Sequence, residues 1–155
     1  MANATLTVNG ITFTFDEGDI DTIESSIVTG VDALDMALSG PGGTYLYDFA
    51  GVTKTITIKG KISDAATTRT SSGTISTMEQ QKQWLESIAN GNQAIILFTS
   101  TYDSQSILQS SGATSPFQGA FTLTRCMLKS LTITEVAGEM NTMPYTLVLV
   151  VGRAT

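Results

Sequence analysis

Few residues in this chain are suited to chemistry, and the one most used for it is absent. No histidine occurs in the sequence. That removes the commonest general base and the commonest neutral-pH metal ligand, so neither a Ser-His-Asp triad nor a His-based zinc site can form. Cys126 is the single cysteine. With no histidine to take its proton it reads as a small buried hydrophobe within a strand, and it cannot close an internal disulfide. Four carboxylates crowd together at Asp16, Glu17, Asp19 and Asp21. Such a cluster can take calcium, but the order in which glycine follows three spaced ligands is missing, so a solvated acidic turn is expected. Gly40-Pro41-Gly42-Gly43 is glycine-rich, yet no Lys-Ser/Thr follows as a phosphate loop needs. Trp84 can anchor a partner or pack in a core, and packing against a sheet is expected. No metal, no cofactor and no enzymatic activity are expected.

Composition narrows the class further. At 155 residues, one domain spanning 1–155 is expected, long enough to bury a sizeable core. Apolar residues make up 41% and charged residues only 14%, which suits β-structure whose surface is covered by neighbouring subunits. The net charge of -6 argues against a nucleic-acid-binding surface, which needs clustered Lys and Arg. The start MANATLTV has neither the basic nor the apolar region of a signal peptide. No apolar run approaches the roughly 18 residues of a membrane helix. A soluble protein made in a cytoplasm, with no membrane partner, is the expectation.

The elements that must position these residues are mostly strands. Residues 45–62 read YLYDFAGVTKTITIKGKI, and the second half alternates. Ile56, Ile58 and Ile62 share one face with Gly60, while Thr55, Thr57, Lys59 and Lys61 share the other. Gly60 predicts a bulge or the close approach of another backbone. Asn9-Gly10 predicts a type I′ hairpin that pairs Val8 with Ile11 and Leu6 with Phe13. Residues 20–38 carry apolar positions at helical spacing, but Ser25 to Gly30 are poor helix formers. A strand over 20–31 is the favoured reading, with a helix as the alternative.

After a break at residues 39–43, residues 63–77 read as a long mobile loop that is functional or ordered by a partner. A helix is predicted over 78–90, with Ser76 and Glu79 as a capping box, an apolar stripe of Met78, Trp84, Leu85 and Ile88, and Gly91 as its cap. Strands are expected at 93–100, then from Gly119 with a phase slip near 125–129, and finally at 143–152. A second polar loop is expected at 102–118. The run Leu147 to Val151 is continuously apolar, as in a strand buried on both faces. There is no internal repeat.

The order of these pieces carries a resemblance. A strand reading YDFAGVTKTITIKGKI is followed by a polar loop, one helix reading QQKQWLESIANGNQ, a strand ILFTSTY and two long terminal strands. Over about residues 20–152 this resembles the tail-tube fold family of tailed bacteriophages and related contractile injection machines, including small baseplate and distal-tail proteins. The resemblance implies a mainly β fold with one α-helix, as two packed antiparallel sheets, with copies forming a β-barrel ring. It implies a homo-oligomer, a hexamer in that family, with adjacent tail or baseplate ring proteins as partners. It also implies a place in the virion tail after assembly in a host cytoplasm, with DNA passing unbound through an acidic lumen that repels it. The two polar loops, and Thr55, Thr57, Lys59, Lys61, Leu147, Leu149 and Val151, are then expected at subunit interfaces. The alternative is a carbohydrate-binding or adhesion β-sandwich. Such a module is expected to expose an aromatic platform, and 7% aromatic residues mostly in core phase count against it.

Overall fold

The first hairpin forms around Asn9-Gly10, whose φ angles of 51° and 80° are the positive pair that this turn demands. It joins β1 (Ala4–Val8) to β2 (Ile11–Phe15), with Val8 opposite Ile11 and Leu6 opposite Phe13. The computed structural model describes residues 4–35, 44–89, 95–101, 112, 125–139 and 141–152. A single 3-10 turn at Glu17–Asp19 leads into β3 (Ile20–Asp35), so the ambiguous stretch is a strand. β3 pairs antiparallel with β4 (Thr44–Ile62) in one long hairpin, from Ile20 opposite Gly60 to Asp35 opposite Thr44. Its register shifts twice, between Ile20 and Thr22 and between Thr29 and Val31.

The remaining elements are α1 (Met78–Ser87), β5 (Ile96–Ser100), β6 (Arg125–Ile133) and β7 (Met143–Val151). The slip expected near residues 125–129 is a register shift between Leu128 and Ser130. The break at 39–43, the Gly91 cap, the loop at 102–118 apart from residue 112, and the start of the strand from Gly119 lie outside the described residues.

All seven strands among the described residues belong to one open antiparallel sheet, ordered β2-β1-β5-β6-β7-β4-β3. The expectation of two packed sheets is thereby corrected. Ile96 opposite Cys126 and Leu97 opposite Arg125 join the two halves into one sheet. The sheet nevertheless curls strongly. β2 and β7 stand four strands apart, about 19 Å in a flat sheet, yet the rings of Phe15 and Tyr145 stack with centroids 5.5 Å apart. Chain connectivity enforces the curl, because the two outermost strands, β2 and β3, are linked by only residues 16–19.

The concave side of this curl holds the core. Leu6, Phe13, Phe15, Ile56, Ile58, Ile96, Phe98, Leu147 and Leu149 are fully buried there with Leu85 of the helix. Each such side chain contributes about 1.5–3 kcal/mol through burial. Trp84 stacks on Phe13 at 4.9 Å, which is the packing role its sequence context predicts. β7 alternates instead of being buried on both faces: Tyr145, Leu147 and Leu149 are buried, while Thr146, Val148 and Val150 are half-covered. The run of apolar residues reflects β-branched preference on a face that no described element covers.

The helix starts one residue later in its capping frame than expected. Thr77 is the N-cap, its hydroxyl accepting from the Gln80 amide at 3.2 Å while the Gln80 side chain accepts from Thr77. Asp64 adds a further cap, accepting from the Met78 amide at 2.8 Å. Residues 63–77 are thus held by the chain itself, correcting the expectation of a mobile loop. Buried Gln81 donates to the carbonyls of Ser63 and Ser76, and Ala65, Arg69 and Ile75 add backbone bonds within the segment.

Candidate assembly interface

The convex side of the sheet is a field of hydroxyl and aliphatic groups. Strand alternation puts Thr5, Thr7, Thr12 and Thr14 there, then Leu97 and Thr99, then Met127, Val148, Val150, Thr55 and Thr57. All are half-buried or exposed. Cross-strand hydroxyl pairs tie parts of it together, Thr5 with Thr99 and Thr7 with Thr12 at 2.9 Å. In a chain of net charge -6 this face carries exposed Lys59, Lys61 and Arg125, with Glu24 as its described carboxylate.

The two sheet edges are treated differently. Residues 69–71 lie along β2, with Phe13 bridged to Thr70. The Thr14 amide donates to the Arg69 carbonyl at 2.8 Å and the Ser71 amide to the Thr12 carbonyl at 2.9 Å. β3 has no strand on its outer flank among the described residues, along all sixteen of its positions. Three exposed large apolar side chains stand on it: Ile27 at 57%, Val28 at 64% and Val31 at 51%. Long, apolar, unpaired edges are templates for another strand. A second free flank occurs on β6 among the described residues, because β5 pairs only with Arg125 and Cys126 and leaves that side of residues 127–133 unpaired.

A buried ion-pair clasp secures the capped edge. The Arg69 guanidinium pairs with Asp16 and, at 3.0 Å, with Asp19. Arg69 and Asp19 are both buried. The Tyr145 hydroxyl donates to the Asp19 carbonyl oxygen at 2.9 Å, and burial pushes that phenol well above its usual range. Gly60 faces the same spot: a Cβ there would stand 1.9 Å from the Asp19 carbonyl oxygen, so only glycine fits. Burial raises the Asp19 carboxyl above its ordinary 3.8, while the Arg69 charge opposes the rise. The acidic cluster is therefore a structural corner with a buried member, in place of the solvated turn expected from sequence. Among the described residues no group of His, Cys, Asp or Glu is placed to hold a metal.

The residues expected at interfaces divide between the two sides of the sheet. Thr55 and Thr57, half-buried, and Lys59 and Lys61, exposed, stand on the convex face where a neighbour can reach them. Leu147 and Leu149 are fully buried in the chain's own core, so they present nothing to a partner. Val151 is half-buried at the end of β7, opposite Lys54. Sequence reading missed the clasp and the contrast between edges. Its available signal was Arg69 itself, the only charged residue between Asp64 and Glu79.

No protein-family model and no curated protein matches the sequence. Solved structures do share the fold. A chain of the tail of an empty gene transfer agent particle, determined with C6 symmetry, superposes with a TM-score of 0.51 at 12% identity, covering 91% of this chain and 83% of that one. A chain of the virion of a native gene transfer agent particle gives a TM-score of 0.55 at 10% identity, covering 97% of this chain and 92% of that one. Along nearly its whole length, this chain has the fold of a tail-type particle subunit.

Proposed function

We propose that this chain is a structural virion protein of a phage-type tail: a tube, tube-initiator or distal-tail ring subunit. Copies of it join side by side around a channel for DNA, six to a ring, stacked against other tail or baseplate rings. It acts by assembly and carries no catalytic step. It is made in the host cytoplasm and resides in the virion tail. The observation that carries this reading is the long β3 edge, unpaired among the described residues, beside a sheet face that no described element covers, in a chain that shares its fold with a C6-symmetric tail. One expectation about the lumen changes. If the convex face of β6, β7, β4 and β3 lines the channel, its described surface is mainly threonine, valine and Met127 with Lys59, Lys61 and Arg125 and the carboxylate of Glu24, so DNA would slide past hydroxyls more than past carboxylates. Among the described residues an aromatic platform for sugar finds no support, because Phe13, Phe15, Phe98, Tyr145 and Trp84 all pack in the core.

Electron microscopy of the purified protein at high concentration tests the reading. Rings or tubes with six-fold symmetry are expected. A strict monomer by light scattering at every concentration, with no rings on the grid, would overturn it.

A further inference from the structure

We propose that Lys59 and Lys61, on the convex face of β4, are turned to the channel and touch the phosphate backbone of the passing DNA. The proposal rests on the ring reading above and names the side chains that meet the DNA. Three observations carry it. The first is that these two cations are unpaired. Among the described residues, Arg69 holds Asp16 and Asp19, and Lys82 holds Glu86 and Glu135. Lys59 and Lys61 are exposed and hold no carboxylate there, although the chain carries 14 acidic residues against 8 basic ones.

The second is placement. Two residues apart on one strand, the lysines leave the same face with their Cα atoms roughly 7 Å apart. They stand within the sheet and not along a flank, since β4 is paired with β3 on one side and with β7 on the other. A neighbour that meets this chain at a sheet edge leaves them uncovered, whereas a polyanion running along the face meets both.

The third is what surrounds them. Lys59 stands opposite Thr22 of β3 and Thr146 of β7, and Thr146 stands opposite Thr132 of β6, so a row of hydroxyls flanks the ammonium group. Hydroxyls and lysines bind phosphate oxygens without reading bases. Arg125 adds a cation toward the other end of the face. The described acids nearby are Glu24, opposite Thr57, and Asp21, in the bulge opposite Gly60. The Asp21 charge reaches the buried Tyr145 phenol on the concave side. A lysine is a point charge without a fixed fork, so it holds a duplex without fixing its register and lets it slide.

Salt-dependent retention of DNA tests the contact. Rings of the unaltered chain are mixed with a short fluorescent duplex, and binding is read by anisotropy as salt rises. Two phosphate contacts per copy predict an affinity loss of about tenfold or more between about 50 and 200 mM salt. Rings of the variant carrying Lys59→Gln with Lys61→Gln, verified by microscopy, should bind about tenfold more weakly at the lower salt and lose less as salt rises. Lys82→Gln, which removes a cation from the helix, should leave both readings unchanged. Unaltered rings that do not hold the duplex, double-variant rings that hold it as well, or an equal loss in Lys82→Gln would overturn the contact and leave the ring reading standing. If the double change blocks ring formation, either single change carries the same test. Rings lost in the single changes too would put these lysines in a subunit joint and overturn the contact. Failure of the unaltered chain to form any ring would defeat the ring reading itself, and the contact with it.

Discussion

β2 and β3 are the two edges of one sheet and are only four residues apart in the chain, yet they meet opposite fates. β2 is five residues long, capped by residues 69–71 and clasped through buried Arg69. β3 is sixteen residues long, unpaired on its outer flank among the described residues, and studded with exposed Ile27, Val28 and Val31. A chain able to seal one edge with a loop and an ion pair is not short of means to seal the other. Proteins ordinarily blunt exposed edges with short strands, lysines, proline, other charges or bulges; β3 is long and has no lysine or proline, and its guards are two register shifts and its carboxylates. The comparison teaches that the two ends of one sheet are built differently, and under the proposed ring reading the open edge is the one that another strand completes.

The comparison can be broken most severely at the sealed edge. Arg69→Ala leaves Asp19 buried without its cation and should destabilise the fold by about 3–5 kcal/mol in urea unfolding, the usual cost of removing one partner of a buried pair. A loss below about 1 kcal/mol would mean the pair is no clasp but an exposed contact. Next in size, Leu147→Ala should cost about 3 kcal/mol, because the side chain is fully buried in the chain's own core. If Leu147 served an interface, the same change would spare the monomer and weaken only assembly. At the open edge, Val28→Thr should change monomer stability by no more than about 0.5 kcal/mol while reducing assembly, as expected of a side chain that touches little until a partner arrives.

The smallest effect is electrostatic. NMR titration should find Asp19 above its ordinary 3.8, and Arg69→Ala should raise it further, since the Arg69 charge is what lowers it. The native carboxyl holds its proton more tightly than the unfolded chain does. Its contribution to stability is therefore present below 3.8 and is lost as pH rises through the native value. At neutral pH, Asp19 costs stability that the Arg69 pairing offsets. An Asp19 value at or below 3.8 would mean that the Arg69 charge outweighs burial at the corner.

Local chemistry was legible in the sequence, and long-range closure was not. Asn9-Gly10 alone specified the first hairpin and its register, because the turn type demands two positive φ angles. The alternating isoleucines of β4 named the core face, and Gly60 announced the close approach that Asp19 makes. The run Leu147 to Val151 misled, since consecutive apolar residues do not say which face a neighbour covers. The capping box slipped by one residue because Ser76–Glu79 and Thr77–Gln80 both fit the pattern, and Asp64, thirteen residues before the cap, favours the second. The clasp joins Arg69 to carboxylates about fifty residues earlier, a distance no local pattern spans. The same holds for the joining of both halves into one sheet, which rests on two residue pairs between β5 and β6.

Amide hydrogen exchange, compared between the free chain and the assembled ring, tests the unfinished edge most directly. The outward-facing amides of β3 over residues 20–28 should exchange fast in the monomer and become protected on assembly, while those of β2 stay protected in both. Protection of β3 already in the monomer, or its continued exposure in the assembled ring, would contradict the account.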